Sequence, residues 1–276
     1  MIDIHKLAFI GGGNMAAALI GGLIGRGLAP ARIIVADPNS EQRQKLMREH
    51  GVLEAADGAG AVRDAEVLVL AVKPQQMQQA ARDAARHLGP HKPLVISVAA
   101  GIPHAALVSW LGSGIPVVRA MPNRPALCGY GATGLYAPRD VGAECRALAE
   151  SILAAVGITV WVELESQMDA VTALSGSGPA YFFLFMEALE AAARGLGLEP
   201  EVAHRLTVQT ALGAAVMARE SSDPLTLLRE QVTSKGGTTA AALAVLDAAD
   251  LRGIVAHAVA AADRRSAELA ADYGDP

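Results

Sequence analysis

A glycine-rich stretch near the start of the chain has the residue types and spacing of a phosphate-binding loop. Gly11, Gly13 and Ala16 match the G-x-G-x-x-G/A pattern, after an apolar run from Leu7 to Ile10 and before an apolar, helix-forming segment. In that pattern the first glycine permits the turn, the second lets the backbone approach a pyrophosphate, and the small third residue lets helix and strand pack closely. Free N–H groups at the helix start would face the phosphates. The alternative interpretation is a glycine-rich strand-to-helix turn without a ligand.

An acidic residue, Asp37, ends the second predicted strand, which starts at Arg32. At this position a carboxylate can accept a hydrogen bond from a ribose 2′-hydroxyl, which favours NAD over a cofactor with a 2′-phosphate. Two alternatives stay open. Asp37 could instead cap the turn at Pro38 with its side chain in solvent. Polar residues downstream could also hold a 2′-phosphate, namely Asn39, Ser40 and Arg43.

Polar residues also follow the later strands, at the edge where open α/β sheets bind ligands. Lys73, in the turn from Ala71 to Pro74, could contact phosphate or ribose or be an ordinary solvated charge, and the backbone of the turn is the stronger candidate. The segment from Ser97 to Gly101 is interpreted in the same way. Asn123 follows the fifth predicted strand and could hydrogen-bond a nicotinamide or orient a neighbouring loop.

Two further glycine-containing stretches lie in the second half of the chain. In residues 232–243 a helix ends, two glycines bend the chain, and hydroxyl residues start a new helix. This is either a capping turn, in which Thr238 satisfies free N–H groups, or an anion site in which the N–H groups of residues 236–239 bind a carboxylate. Residues 169–181 place glycines and Pro179 at a helix entrance, for packing or for a ligand.

The elements that must position these residues alternate between strands and helices in the first half of the chain. Runs that are apolar on both faces, separated by helical segments, predict an α/β fold: an N-terminal Rossmann domain with a doubly wound parallel sheet. After Glu163 no strand pattern recurs and alanine-rich helical segments follow. We therefore expect a dinucleotide-binding domain over residues 1–163 and an all-helical, dimerising domain over residues 164–276. The later predicted strands cover residues 67–72, 94–98, 117–120, 135–136 and 158–162, and the predicted helices of the second domain begin at Ser177, Pro200, Asp223, Thr238 and Leu251.

Composition excludes several classes of function. The 276 residues carry a formal net charge of −5 without a block of like charges, so nothing predicts binding to nucleic acid or to an acidic membrane surface. The longest stretch without charged side chains, residues 93–118, is broken by glycines and prolines, so we expect a soluble protein despite a mean hydropathy of +0.31. Two cysteines suit a reducing cytosol but are too few to exclude other compartments, and the start of the chain does not resemble a signal peptide. The dispersed histidines predict no metal-ligand cluster. Many helices in the second half of the chain are apolar over much of their circumference, which predicts that subunits associate.

Four stretches carry a resemblance that covers nearly the whole chain. Residues 9–15 (Phe-Ile-Gly-Gly-Gly-Asn-Met) and residues 71–74 (Ala-Val-Lys-Pro) occur in several kinds of reductase. Residues 170–181 (Ala-Val-Thr-Ala-Leu-Ser-Gly-Ser-Gly-Pro-Ala-Tyr) and residues 234–239 (Ser-Lys-Gly-Gly-Thr-Thr) are far more specific. In their order and spacing, the four stretches resemble the pyrroline-5-carboxylate reductase family.

The resemblance implies NADPH- or NADH-dependent reduction of the imine of 1-pyrroline-5-carboxylate to L-proline, the last step of proline synthesis. It also implies a homodimer whose interleaved helices build the active site between subunits, and larger rings of dimers occur in some members. Because fold does not fix function, two alternatives are kept. One is another imine or β-hydroxyacid reductase, and the other is a non-catalytic nucleotide-binding protein.

The same resemblance assigns residues to the substrate and to the cofactor. Thr239 matches the family threonine beside the imine nitrogen and is the expected catalytic residue, acting by hydrogen bonding and relay from water because a hydroxyl is a weak acid. Glu165 matches an acid near the substrate. The substrate carboxylate would bind Ser234 and the amides of Gly236, Gly237 and Thr238. With Asp37 and Asn123 from the strand ends, the expected cofactor contacts are Gly11, Gly12, Gly13, Asn14, Met15, Ala16, Asp37, Asn39, Ala71, Val72, Lys73, Pro74, Ser97, Ala99, Ala100 and Asn123.

Three residues depart from the family pattern. Gly58 stands where many members have an asparagine at the adenosine side of the cofactor, so that contact is not carried over. Lys235 replaces a proline before the glycine pair and adds a charge beside the expected carboxylate site, and Arg124 replaces a common threonine. None removes a residue with a proposed chemical role, but together they leave affinity and cofactor preference open.

Overall fold

The computed structural model describes residues 4–89 and 92–273. Residues 1–3, on which the expectation about a signal peptide partly rests, lie outside them. Contacts within the chain define two units, one with the residues up to Ser177 together with those from Ala261 onward, the other with Gly178–Ala260. The predicted domain boundary between residues 163 and 164 lies earlier along the chain than this division, and it stays a prediction.

The first unit is built on eight strands: β1 (Leu7–Ile10), β2 (Ile33–Ala36), β3 (Leu53–Ala55), β4 (Val67–Leu70), β5 (Leu94–Ser97), β6 (Val117–Met121), β7 (Gly131–Tyr136) and β8 (Gly157–Trp161). They form a sheet in the order β3-β2-β1-β4-β5-β6-β7-β8. All neighbours are parallel except β6 and β7. The strand order reverses direction between β1 and β4, so the doubly wound sheet is confirmed.

The antiparallel pair at β7 follows from a short connection. A parallel neighbour needs a crossover of about a dozen residues or more. Between β6 and β7 the chain makes only the 3₁₀ turn Arg124–Cys128, so β7 returns beside β6 in the opposite direction. The predicted parallel sheet is therefore confirmed for the other neighbouring strands, and this pair is the exception.

Helices of the first unit cover both faces of the sheet: α1 (Asn14–Gly25), α2 (Ser40–His50), α3 (Gly58–Val62), α4 (Pro74–Ala85), α5 (His104–Leu111), α6 (Ala143–Leu153) and α7 (Gln167–Val171). Successive strand residues point to opposite faces of the sheet. Phe9 of β1 packs in a core cluster with Leu19 of α1, and Leu68 of β4 packs in a second cluster with Met77 of α4. Burial on both faces explains why these strands are continuous apolar runs.

The sequence did not predict β3 or α3. Leu53 and Glu54 are exposed in this three-residue edge strand, so it lacks the apolar run that marks the other strands. α3 is a short helix whose N-cap is Asp57, with its carboxylate accepting a hydrogen bond from the N–H of Gly60 (2.9 Å). Too few residues repeat in either element for a periodic pattern to show.

The second unit contains α8 (Gly178–Gly195), α9 (Pro200–Glu220), α10 (Leu225–Gln231), α11 (Thr238–Ala248) and the start of α12 (Leu251–Tyr273). These helices begin within two residues of the predicted positions. Large apolar side chains of α8 are exposed in this unit, among them Phe182, Phe183 and Leu184. No helix in the described part of the chain is long and apolar enough to cross a membrane.

Candidate functional site

The turn after β1 has a backbone that only glycine can adopt at its first position. Gly11 has a φ of +97°, and a Cβ atom there would lie 2.4 Å from the carbonyl oxygen of Ala71. The N–H of Gly11 donates to the carbonyl of Ala36 (2.8 Å), which ties the turn to the end of β2. The turn is therefore held by two neighbouring strand ends before any ligand binds.

The same turn leaves the start of α1 open. Gly13 is the N-cap, no side chain caps the helix, and a Cβ atom at Gly13 would meet nothing within 4 Å. Asn14 is exposed, whereas Ala16 is fully buried against the sheet. Uncapped first-turn N–H groups beside open space fit the phosphates of a dinucleotide, because the helix dipole favours negative charge there.

Asp37 connects the glycine turn to the turn after β2. One carboxylate oxygen accepts from the N–H of Gly12 (2.8 Å) and the other from the N–H of Asn39 (2.8 Å). The bond from Asn39 shows that Asp37 caps the turn at Pro38, as one of the alternatives expected, and the bond from Gly12 shows that its side chain also has a partner outside that turn. Each carboxylate oxygen keeps a further lone pair, so the contact with a ribose hydroxyl stays a prediction.

Asn39 also has a structural partner. Its side-chain oxygen caps α2, accepting from the N–H groups of Glu41 (2.9 Å) and Gln42 (3.4 Å). This use of the side chain satisfies the first-turn N–H groups of α2 that a cofactor phosphate would otherwise approach. The cofactor contact of Asn39 stays a prediction.

The turns after β4 and β5 lie level with the glycine turn. Leu70 pairs with Ile10 on one side and with Ser97 on the other, so all three strands end together. Lys73 is exposed at the N-cap of α4, and Pro74 is its first residue. Ser97 is buried, and the remaining predicted contacts of these turns are half-buried: Ala71, Val72, Ala99 and Ala100. The fold thus brings these predicted cofactor residues to one edge.

The side chain of Asn123 bridges two segments of the first unit. Its nitrogen donates to the carbonyl of Ser175 (2.9 Å), in a π-helical turn that follows α7, and its oxygen accepts from the N–H of Ala132 (2.9 Å). Asn123 is buried, so it orients these two loops. Of the two roles considered, loop orientation is confirmed, and contact with a nicotinamide stays a prediction.

Glu165 is held by a partner that the sequence analysis missed. Its Oε1 accepts from the guanidinium of Arg119 and from the N–H of His104 (2.5 Å). The Arg119 side chain is 9% exposed, and it lies in β6, where a charge inside an otherwise apolar run was the signal that could have found it. The acid assigned to the substrate is therefore fixed to a strand and to the first turn of α5.

His104 lies beside this pair. Burial lowers the pKa of its imidazole, more than the nearby carboxylate of Glu165 raises it. Its Nε2 is buried without a hydrogen-bond partner among the described residues. The ring stands edge-on to Tyr136, with centroids 6.2 Å apart.

The second glycine turn, residues 234–239, lies in the helical unit. Gly236 has a φ of +71°, and the N–H of Gly237 donates to the carbonyl of Ser234 (3.1 Å). Gly237 is the N-cap of α11 and has no side chain with which to cap that helix, so the two interpretations of Thr238 both stay predictions. Thr238 is exposed and Thr239 is half-buried. The turn thus offers uncapped N–H groups and hydroxyls to an anion.

The departures from the family pattern lie at accessible positions. Lys235 and Arg124 are exposed, and Gly58 is the half-buried first residue of α3. A Cβ atom at Gly58 would lie in ordinary contact, 3.7 Å from Ile10.

Among residues 4–89 and 92–273, no group of three or more acidic, histidine or cysteine residues could hold a metal ion.

The strand order and the glycine turn define a Rossmann-type dinucleotide-binding protein with a helical second half. A family model described as NADP oxidoreductase coenzyme F420-dependent matches residues 6–101, and one described as pyrroline-5-carboxylate reductase dimerisation matches residues 165–269. The chain belongs to the pyrroline-5-carboxylate reductase family.

Curated relatives and solved structures agree with this assignment. The pyrroline-5-carboxylate reductase of Pseudomonas aeruginosa is 51% identical over 98% of each chain, and that of Haemophilus influenzae is 46% identical over 96% of this chain and 98% of the relative. A solved pyrroline-5-carboxylate reductase from Coxiella burnetii matches with a TM-score of 0.93 and 44% identity, covering 97% of this chain and 99% of that one. One from Plasmodium falciparum, with NADP bound, matches with a TM-score of 0.85 and 29% identity, covering 98% and 99%.

Proposed function

We propose that this chain reduces the C=N bond of 1-pyrroline-5-carboxylate to give L-proline, with NADPH or NADH as hydride donor. The observation that carries this proposal is the match over essentially the whole chain to relatives named for this activity. Both glycine turns fall within that match. The product makes this the last step of proline biosynthesis, which we place in the cytoplasm.

Within this reaction the sheet unit binds the cofactor. The uncapped N–H groups after Gly13 receive the pyrophosphate, and the turn that contains Lys73 together with residues 97–100 contacts the rest of the dinucleotide. The bound dinucleotide supplies the hydride that adds to the imine carbon. The protein's contribution is placement and electrostatics.

The helical unit binds the substrate in this proposal. Ser234 and the N–H groups of Gly236, Gly237 and Thr238 receive the substrate carboxylate. Thr239 donates a hydrogen bond to the imine nitrogen, and a proton reaches that nitrogen through water, because a threonine hydroxyl is too weak an acid to protonate it directly. Glu165, which lies in the sheet unit and is held by Arg119, is the acid proposed to lie near the substrate.

Subunit association completes the proposal. The match to the dimerisation family model and the exposed apolar side chains of α8 support an oligomer. We infer a homodimer in which interleaved helices place the substrate turn of one subunit beside the cofactor of the other, and larger rings can assemble from such dimers.

The test follows oxidation of NADH and of NADPH by the purified protein with 1-pyrroline-5-carboxylate and with cyclic imines of other ring sizes. The proposal expects turnover with the five-membered imine and formation of L-proline. Turnover with another imine alone would identify a different reductase. Binding of the nucleotide without turnover of any imine would identify a non-catalytic binding protein and reject the proposal.

A further inference from the structure

An ion pair sits at the end of β2, where the adenosine ribose of a Rossmann-bound dinucleotide lies. Arg43, on α2, donates from Nη1 to the backbone carbonyl of Asp37 (2.6 Å). Its Nε lies 3.3 Å from the Oε2 of Glu54, on the edge strand β3. The Arg43 side chain is 15% exposed and that of Glu54 is 37% exposed. The guanidinium is therefore fixed at this corner by two partners.

This corner treats a 2′-hydroxyl and a 2′-phosphate differently. Asp37 can accept a hydrogen bond from a hydroxyl through its remaining lone pairs, but its charge repels a phosphate. A 2′-phosphate needs a cation nearby, and Arg43 is bonded to the backbone of Asp37 itself. Arginine suits this role because its planar guanidinium can donate two hydrogen bonds to one phosphate.

Glu54 opposes that role of Arg43. Its carboxylate neutralises the guanidinium and occupies the Nε donor, so a phosphate would have to share or displace it. Asp37 and Glu54 together place two negative charges beside the single positive charge of Arg43. The short, exposed strand that supplies Glu54 is the element that the apolar pattern of the sequence did not reveal.

We infer that Glu54 determines coenzyme preference: by pairing with Arg43 it weakens the binding of a dinucleotide with a 2′-phosphate and leaves that of NAD(H) unaffected. The inference rests on the proposed function, because it places the ribose by the cofactor position of that function. It identifies a specificity-determining residue in an edge strand rather than at the end of β2.

The test measures dissociation constants of NADP⁺ and NAD⁺ by titration calorimetry at low ionic strength, for the wild type and for Glu54→Gln. Removing one negative charge from this corner should tighten NADP⁺ binding about fivefold and change NAD⁺ binding by less than about twofold. Glu49→Gln removes the same charge from an exposed position on α2 and serves as the matched control, with both constants unchanged.

A second variant shows whether Glu54 acts through its arginine partner. In an Arg43→Gln background, the gain in NADP⁺ affinity from Glu54→Gln should shrink to less than about twofold. An undiminished gain in that background, or equal NADP⁺ affinity in wild type and Glu54→Gln, would overturn the inference. Neither of these results contradicts the proposed function. That function is rejected if the wild type fails to bind both NADP⁺ and NAD⁺.

Discussion

Two glycine turns open helices without side-chain caps, one in each unit, and they are held in different ways. At the turn after β1, Gly11 fits against the backbone of Ala71 and the N–H of Gly12 is bonded to the carboxylate of Asp37. At the turn before α11, a Cβ atom at Gly236 would meet nothing within 4 Å, and the neighbouring Gly237 is bonded to Ser234 inside the turn. The first turn is built by the sheet, whereas the second relies on its own residues.

The difference fits the two proposed ligands. A dinucleotide is common to many reductases, and a rigid sheet edge prepares its site before it binds. The turn proposed to bind the substrate is largely exposed, and in our proposal the partner subunit and the cofactor supply the rest of its site. The comparison predicts that substitutions at the first turn cost both folding and binding, and that those at the second cost mainly turnover or substrate affinity.

The largest expected effect is at the first turn. Gly11→Ala introduces a Cβ atom 2.4 Å from the Ala71 carbonyl at a φ of +97°, so it should reduce the free energy of unfolding by about 2–4 kcal/mol and weaken dinucleotide binding at least about 100-fold. At Gly236 φ is also positive, but an added Cβ atom would meet nothing within 4 Å. Gly236→Ala should therefore reduce the free energy of unfolding by only about 1 kcal/mol.

Urea denaturation and calorimetry with NADPH measure both quantities. Gly25→Ala is the control, because Gly25 lies at the end of α1 and a Cβ atom there meets nothing within 4 Å. Equal losses of stability in Gly11→Ala and Gly236→Ala would break the comparison between the two turns.

The next effect separates two neighbouring hydroxyls in the second turn. Thr239→Val should lower kcat about 10- to 100-fold, because the loss of one hydrogen bond to the reacting nitrogen removes about 1.4–2.7 kcal/mol of transition-state stabilisation. Thr238→Val keeps the backbone N–H that is assigned to the carboxylate, so its kcat should stay near that of the wild type. Steady-state kinetics with 1-pyrroline-5-carboxylate measure kcat for both variants. Unchanged kinetics in Thr239→Val would remove its assigned role.

A smaller effect concerns the pair that fixes Glu165 in the sheet unit. Arg119→Met leaves the Glu165 carboxylate without its cationic partner, and it should reduce the free energy of unfolding by about 2 kcal/mol. In the double variant Arg119→Met with Glu165→Gln, part of that loss should return, since no unpaired charge remains. Denaturation curves of the two variants test this, and a double variant no more stable than the single one would contradict the assignment.

Much of the fold could be predicted from the sequence because burial on both faces leaves a clear pattern. Continuous apolar runs gave six strands of the sheet close to their observed positions, and proline and glycine marked the ends of the long helices. The edge strand β3 was missed because its residues Leu53 and Glu54 are exposed. The direction of β7 depends on the length of one connection, which no periodicity reports.

For the candidate site, the sequence could predict the geometry of the first glycine turn but not the hydrogen-bond partners of the other side chains. Spacing marked Gly11 and Gly13 correctly as a turn and an open helix start. It could not show that Asp37 joins two turns, that Asn123 bridges Ser175 and Ala132, or that Arg119 holds Glu165. Such contacts join residues far apart in the chain, and they follow from the packing of the sheet rather than from any local pattern.

The division of labour between the two turns is tested most directly by one variant, Ser234→Ala. Ser234 is exposed, so its substitution should leave the fold intact. We predict that KM for 1-pyrroline-5-carboxylate rises about tenfold, corresponding to the loss of about 1.4 kcal/mol from a charge-assisted hydrogen bond, while the dissociation constant of NADPH is unchanged. An unchanged KM for the imine, or a loss of NADPH affinity of similar size, would contradict the assignment of this turn to the substrate.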